Sequence, residues 1–167
     1  MNENEKVIER FYAAFGKRDA EGMVACYDPE ATFSDPVFPS LKNGEPFAMW
    51  RMLCERAEGL VIQASRIEAN EKTGKAHWDA DYKFSATGRQ VHNRIDARFV
   101  FRNGKIIEHV DAFDLWAWSA MALGTTGKLL GWSPIVRGGI RRKAGQGLRQ
   151  YIEKRGAAAT APATPST

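Results

Sequence analysis

One aspartate, Asp35, lies among apolar residues just before a proline, within residues 31–37 (ATFSDPV). If this run is extended, alternate side chains share a face, so that Asp35 lies with Phe33 and Val37. A carboxylate on an apolar face is costly unless it has a hydrogen-bonding partner or a chemical role. Two interpretations are open at this point. Asp35 is either a general base held among apolar groups or a turn residue that binds nearby backbone N–H groups.

A second ionisable pair, His109 and Asp111, is spaced for one face of a later strand. Residues 107–113 (IEHVDAF) alternate so that this pair shares its face with Ile107 and Phe113. A carboxylate two residues from an imidazole on a strand can hold the ring in one tautomer. The pair is either acid–base machinery in a pocket or a hydrogen-bonded pair that the core or the solvent satisfies.

The elements that must position these residues follow from the hydrophobic pattern. Apolar residues at helical spacing and alternating runs predict a mixed order of elements. In chain order these are helices over 3–16 and 19–26, a strand around Asp35, a helix from Pro46 closed by Gly59, strands over 60–71, 75–86, 89–102 and 105–114, and a helix over 115–123. This order predicts an α+β fold in which helices cover one face of a curved antiparallel sheet. A curved sheet closed by helices forms a cone, and its interior offers a hydrophobic pocket.

The positive charge is concentrated in a C-terminal arm. Residues 124–167 contain eight Lys or Arg and one Glu, a net charge of +7, whereas the whole chain carries +4 and residues 1–123 therefore −3. The basic character does not belong to the domain, so we expect no nucleic-acid partner. We divide the chain into a domain over 1–123, a basic arm over 124–156 that packs on it, and a disordered tail over 157–167.

The arm combines apolar and basic residues. We expect Leu129, Leu130 and Trp132 to be buried against the domain, because an exposed patch of this kind invites association. The basic, partly helical residues 135–155 are expected to keep their charges in water. Contact with an anionic membrane surface or an acidic partner is the less favoured alternative.

Other chemistries find little support in the sequence. No glycine-rich phosphate loop and no Ser or Cys nucleophile motif is present. A metal site needs three converging ligands. Asp35, His109 and Asp111 could supply that number, but nothing in the sequence indicates the geometry, so we expect neither a metal nor a cofactor. The polar N-terminus does not look like a secretion signal, and Cys26 and Cys54 fit buried reduced thiols. We therefore expect a cytoplasmic protein.

Two segments resemble known families. Residues 10–38, with the ATFSDPV run, resemble the start of ketosteroid isomerases, and residues 103–114 (NGKIIEHVDAFD) resemble the end of SnoaL-like polyketide cyclases. Both groups belong to the nuclear transport factor 2-like (NTF2-like) superfamily of cone-shaped, cystatin-like α+β barrels. The similarity covers roughly residues 3–116. It implies this fold, a small hydrophobic ligand and a homodimer formed through the sheet.

The resemblance assigns roles to single residues. Asp35 matches the general base of the isomerases, and Asp96 matches their second, protonated aspartate, although its alternation partners indicate a solvent or interface face. Phe11 stands where those enzymes have an oxyanion-binding tyrosine. Tyr12 is a poor substitute, since it lies about 100° around the helix. His109 and Asp111 resemble the acid–base group on the last SnoaL-like strand.

The first hypothesis is therefore a cofactor-free acid–base enzyme of isomerase, cyclase or hydratase type that acts on a small hydrophobic carbonyl compound. Its catalytic candidates are Asp35, His109, Asp111 and Asp96, and its ligand-binding candidates are Phe11, Tyr12, Phe33, Trp50, Trp78, Tyr82 and Phe113. One alternative is a non-catalytic domain that binds a hydrophobic ligand or a protein. The other resembles limonene epoxide hydrolase, whose Asp–Arg–Asp set Arg94 or Arg98 with Asp111 could imitate.

Overall fold

The computed structural model describes residues 1–159, and the side chains of residues 1–156. The elements in chain order are α1 (Glu3–Gly16), α2 (Ala20–Val24), β1 (Tyr27–Ser34), α3 (Glu45–Arg56), β2 (Glu58–Ala69), β3 (Thr73–Phe84), β4 (Arg89–Arg102), β5 (Lys105–Ala112), α4 (Leu115–Leu123), α5 (Thr125–Leu130) and α6 (Pro134–Ala159). Of the tail expected over 157–167, the first three residues belong to α6 and the others lie outside the described residues.

The five strands form one curved, unclosed sheet in the order β1-β5-β4-β3-β2. The β5-β4-β3-β2 pairs are antiparallel, and β1 pairs with β5 in parallel. Helix α1 packs against β2 and β3, and α3 against β1. The predicted α+β cone with helices on one face of the sheet is confirmed.

Helix α1 illustrates how the sequence produces this packing. Asn2 and Glu5 form a capping box at its start, which satisfies backbone N–H groups that have no partner within the helix. Its apolar residues recur at helical spacing and are buried in the core, among them Phe11 and Tyr12. The first helix is thus a rigid platform that faces the concave side of the sheet.

Strand β4 sets the two faces of the sheet. From residue 90 onward its buried residues alternate with exposed or half-buried ones, because successive side chains of a strand point to opposite faces. Ile95, Ala97 and Phe99 are buried in the core, whereas Asp96 and Arg98 are exposed. Every residue of β4 is therefore assigned either to the interior of the cone or to its outer face.

The C-terminal arm packs on the body through α6, which contacts α3. Leu148 is only 2% exposed and belongs to the main core, as does Tyr151, whose hydroxyl donates to a carboxylate oxygen of Glu55 at 2.9 Å. No helix in the described part of the chain combines the length and the apolar character needed to cross a bilayer.

The expected burial of Leu129, Leu130 and Trp132 is wrong, since these side chains are 63%, 48% and 58% exposed. The physical reason lies in how α5 is seated. Its buried residue is Gly127, which lies so close to the backbone of Ser119 in α4 that no side chain fits between them. The short helix therefore uses its smallest residue for contact and leaves its large apolar residues outside.

Replacing Gly127 with Ala is expected to lower the free energy of unfolding by about 1–3 kcal/mol, because the new methyl group would overlap the Ser119 carbonyl oxygen. Gly139→Ala in α6 is the matched control. No atom lies within 4 Å of its added methyl, and Ala should stabilise that helix by about 0.5–1 kcal/mol. Urea unfolding measures both values. Equal effects of the two changes would contradict the proposed seating of α5.

Candidate active site

His109 lies in the centre of the interior and is completely buried. It pairs with Phe33 of β1 on one side and with Phe99 of β4 on the other. Its Nδ1 lies 2.6 Å from the hydroxyl oxygen of Tyr27, and its Nε2 lies 2.9 Å from Oδ1 of Asp111. Both ring nitrogens are thus engaged by protein groups.

Two indole groups complete a chain of hydrogen bonds through His109. Trp50 Nε1 donates to the Tyr27 hydroxyl oxygen at 3.0 Å, and Trp78 Nε1 donates to Asp111 Oδ1 at 3.4 Å. Because the indoles can only donate, we assign the Tyr27 proton to His109 Nδ1 and the histidine proton to the Nε2 that faces Asp111. We call Trp50, Tyr27, His109, Asp111 and Trp78 the buried chain.

Aromatic rings surround the imidazole. The ring centroids of Phe99, Phe33, Phe11 and Trp50 lie 4.5, 5.0, 5.5 and 6.0 Å from that of His109. Hydrogen bonds in such apolar surroundings are stronger than in water, and a partner lost there is costly. The buried chain therefore fixes the orientation of Asp111 rather than offering His109 itself to a ligand.

Asp35 follows directly after β1. Its Oδ1 accepts hydrogen bonds from the backbone N–H groups of Val37 and Phe38, at 2.7 and 2.6 Å. This is the turn arrangement that the proline motif predicts. Burial raises the pKa of Asp35 from 3.8 to about 7; the Phe38 N–H acts in the opposite direction, and the negative charge of Asp111 adds to the rise. The turn interpretation therefore agrees with the structure, and the turn holds the carboxylate in apolar surroundings. The role of general base stays a prediction.

Two tyrosines face the same interior. The hydroxyl of Tyr12 is buried and has no hydrogen-bond partner among the described residues. Burial raises its pKa well above the usual value, and the charge of Asp111 adds to this. Tyr82 accepts a hydrogen bond from Trp118 Nε1 at 2.8 Å, and its pKa is raised by burial and by the charge of Asp35. The interior thus brings Asp35 and Asp111 into electrostatic contact, with the Tyr12 phenol near Asp111 and Tyr82 near Asp35.

The other ligand-binding candidates lie on the same side of the sheet. Phe11, Phe33, Trp50 and Trp78 are buried in the core, and Tyr82 and Phe113 are partly buried against it. Trp50 contacts both Phe11 and Phe33, Trp78 contacts Tyr12, and these rings fill much of the interior. An open hydrophobic pocket therefore stays a prediction.

Asp96 does not join the site, which corrects its place among the catalytic candidates. Its side chain is 79% exposed and accepts a hydrogen bond at 2.7 Å from Nδ1 of His77, which lowers its pKa. The β3–β4 pairing runs without a bulge past Asp96, so nothing turns this residue inward. Asp96 matches the position of the second aspartate of the isomerases, but the alternation of β4 places its side chain on the outer face of the sheet.

The epoxide-hydrolase arrangement fails for the same reason. Arg94 and Arg98 are exposed on the outer face of β4, whereas Asp111 points inward. No Asp–Arg–Asp set therefore forms from these residues. Within residues 1–156 no group of His, Cys, Asp and Glu side chains is placed to hold a metal ion.

Sequence reasoning missed Tyr27. The following residues, Asp28 and Pro29, are typical of a helix end, but they lie within β1. The pairing of β1 with β5 is irregular between Tyr27 and Thr32, so simple alternation does not extend back to Tyr27. The sequence therefore offers no regular signal for Tyr27, although it is buried like Ala31 and Phe33.

Comparison with solved structures supports this architecture. An NTF2-like protein from Burkholderia pseudomallei shares 18% identity with a TM-score of 0.60 and covers 68% of this chain and 92% of its own. An epoxide hydrolase from Mycobacterium tuberculosis, similar to limonene epoxide hydrolase, shares 17% sequence identity with a TM-score of 0.62. The match covers 78% of this chain and 97% of the hydrolase. A proposed polyketide cyclase from Xanthomonas campestris shares 19% sequence identity with a TM-score of 0.61. That match covers 72% of this chain and 96% of the cyclase. At such identities the likeness concerns the fold alone.

A search of curated proteins finds no match. The sequence profile of the SnoaL-like domain, in contrast, matches residues 8–109, which include Asp35 and most of the buried chain. The match spans more than half of the chain and agrees with the fold described above. This protein therefore belongs to the SnoaL-like domain family, and its fold is that of NTF2-like proteins.

Proposed function

We propose that this protein is a cofactor-free acid–base enzyme that moves a proton at the carbon next to the carbonyl of a small hydrophobic compound. The observation that carries the proposal is Asp35, a turn-anchored carboxylate with a pKa raised to about 7. A base whose pKa lies near the operating pH can both take and return a proton efficiently. Isomerases, cyclases and hydratases all use such a step.

The geometry suggests a role for each group. The two backbone N–H groups hold Asp35 Oδ1, and Oδ2 accepts no hydrogen bond from the described residues, which leaves it for the substrate. Asp35 Oδ2 would take the proton from carbon while the free Tyr12 hydroxyl donates to the oxygen on which negative charge develops. Burial keeps the pKa of Asp35 high, and the charge of Asp111, whose carboxylate His109 holds, adds to the rise.

The proposal can be tested without knowing the natural substrate. In D2O, the protein should speed the exchange of the acidic C–H protons of 2-tetralone, an apolar ketone, as followed by NMR. The rate should rise with pH through about 7, because Asp35 acts in its ionised form. Asp35→Asn should lower the catalysed rate about 10²–10⁴-fold. Asp96→Asn, on the outer face, should leave it unchanged.

Tyr12→Phe tests the donor separately. The change removes one hydroxyl that has no protein partner, so folding should be little affected. The exchange rate should fall by about 10²–10³-fold if the hydroxyl stabilises the developing oxyanion. Exchange by the unmodified protein no faster than in buffer alone would refute the catalytic proposal as a whole.

Steroid isomerisation is expected to be weak or absent. Phe11 cannot donate a hydrogen bond, and one such donor is worth about 2.7–4 kcal/mol of transition-state stabilisation. Tyr12 points elsewhere from the helix and would suit an oxygen at a different position. An assay with a Δ5-3-ketosteroid decides this. Rapid turnover would show that Tyr12 or another donor replaces the missing tyrosine.

A non-catalytic role is the second candidate. It is favoured by the dense packing of rings around His109, whose two nitrogens are both occupied. Such a domain would bind a hydrophobic ligand or a protein without turning it over, and 2-tetralone would then bind without exchange. A cytoplasmic location and a homodimer formed through the outer face of the sheet remain proposals, the latter open to light scattering.

A further inference from the structure

We propose that the C-terminal arm docks this protein onto an anionic lipid surface, an interaction that goes beyond the proposed function. The docking site is an exposed cluster that we call the apolar patch. Its members are Trp116, Leu129, Leu130, Trp132 and Ile135, with exposed fractions of 45%, 63%, 48%, 58% and 85%. Among the described residues, only Met1 and Val61 are comparable exposed apolar side chains, so exposure of this kind is concentrated in one short segment.

The apolar patch is held in place rather than loosely attached. Gly127 and Gly131 both lie against Ser119, whose hydroxyl donates to the carbonyl oxygen of Trp116 at 2.9 Å. Arg137 Nε donates to the Gly131 carbonyl oxygen at 3.1 Å and ties the start of α6 to α5. The large side chains are therefore presented outward by fixed backbone, which lowers the entropic cost of docking.

The N–H groups of the two exposed indoles are already hydrogen-bonded within the protein. Trp116 Nε1 donates to the carbonyl oxygen of Lys128 at 3.0 Å, and Trp132 Nε1 donates to that of Leu129 at 2.9 Å. An unpaired N–H would resist transfer out of water, but a paired one does not. Tryptophan is enriched where proteins meet the interface of a bilayer.

The charge around the apolar patch selects the kind of surface. Residues 124–152 contain six Lys or Arg and no Asp or Glu, and Lys128, Arg141, Arg142 and Lys143 are exposed. A second copy bound symmetrically through the same patch would bring these like charges together. A bilayer leaflet with anionic headgroups instead attracts the cations, and its apolar interior can bury the exposed apolar side chains.

Vesicle sedimentation with the full chain tests the proposal. The protein should bind vesicles of phosphatidylcholine mixed with phosphatidylglycerol, much less those of phosphatidylcholine alone, and less again as salt is added. Leu129→Ser and Trp132→Ser should each weaken partitioning by about tenfold or more. Arg142→Glu combined with Lys143→Glu, both at exposed positions of α6, should abolish the preference for the anionic lipid. Val61→Ser, an equally exposed apolar residue on β2, is the control and should change nothing.

Each contrary outcome is informative. No binding to the mixed vesicles overturns the proposal, and binding to polyglutamate without binding to vesicles would assign the arm to an acidic protein partner instead. Unchanged binding by Leu129→Ser and Trp132→Ser would also overturn it, since charge alone would then act. All variants lie at exposed positions, and their melting temperatures should match that of the unmodified chain. The proton-exchange assay is independent of every one of these results.

Discussion

Replacing Asp35 with Asn is expected to stabilise the folded protein above neutral pH. The pKa of Asp35 rises from 3.8 to about 7 on folding, so the folded state holds a proton that the unfolded state has already lost within this range. Stability is therefore highest below pH 3.8 as far as Asp35 is concerned and falls as pH rises to about 7. A shift of this size corresponds to a loss of up to about 4 kcal/mol, which Asn avoids because it carries no charge.

Urea unfolding at a series of pH values measures this effect. The unmodified protein should lose stability between about pH 4 and pH 7, and Asp35→Asn should flatten most of that slope. The turn should survive, since an amide oxygen can still accept from the N–H groups of Val37 and Phe38. Asp96→Asn is the matched control. The hydrogen bond with His77 lowers the pKa of Asp96, so folding favours its charged form, and this change should decrease rather than increase stability at neutral pH. A less stable Asp35→Asn protein at every pH would show that the carboxylate supports the fold.

Replacing Leu148 with Ala is expected to lower the free energy of unfolding by about 2–5 kcal/mol, the usual cost of truncating a buried leucine. Leu148 is 2% exposed and joins the main core, although it lies in the basic arm. Leu129→Ala offers the same change at a position that is 63% exposed. It should cost less than about 0.5 kcal/mol. Similar losses from both changes would contradict the described packing of the arm.

Elements with a regular period could be predicted from the sequence. The helix predicted over 3–16 and the strand predicted over 89–102 coincide with α1 and β4. Each has an uninterrupted pattern and a clear boundary, with a capping box at the start of α1 and the Asn103–Gly104 turn after β4. The start of β1 could not be predicted, because its pairing with β5 joins residues far apart in the chain and leaves no local periodicity.

Strand alternation also predicts which candidate site residues face the interior. Asp35, His109 and Asp111 were found because alternation alone places them among apolar residues. Asp96 entered the catalytic set by family position, although alternation put it outside, and the structure follows the alternation. The exposure of Leu129 depends on where a glycine of α5 meets α4, a tertiary contact that composition does not reveal.

The docking of α6 on α3 has a consequence for biosynthesis. Of the described elements, α6 is made last, yet Leu148 and Tyr151 complete the core beside α3. A nascent chain can assemble the sheet once β5 has emerged, but it exposes the apolar surface of α3 until α6 follows. Such incomplete intermediates are prone to aggregation. Truncated products of stalled ribosomes should therefore be substrates for chaperones and proteases, whereas the finished chain is not.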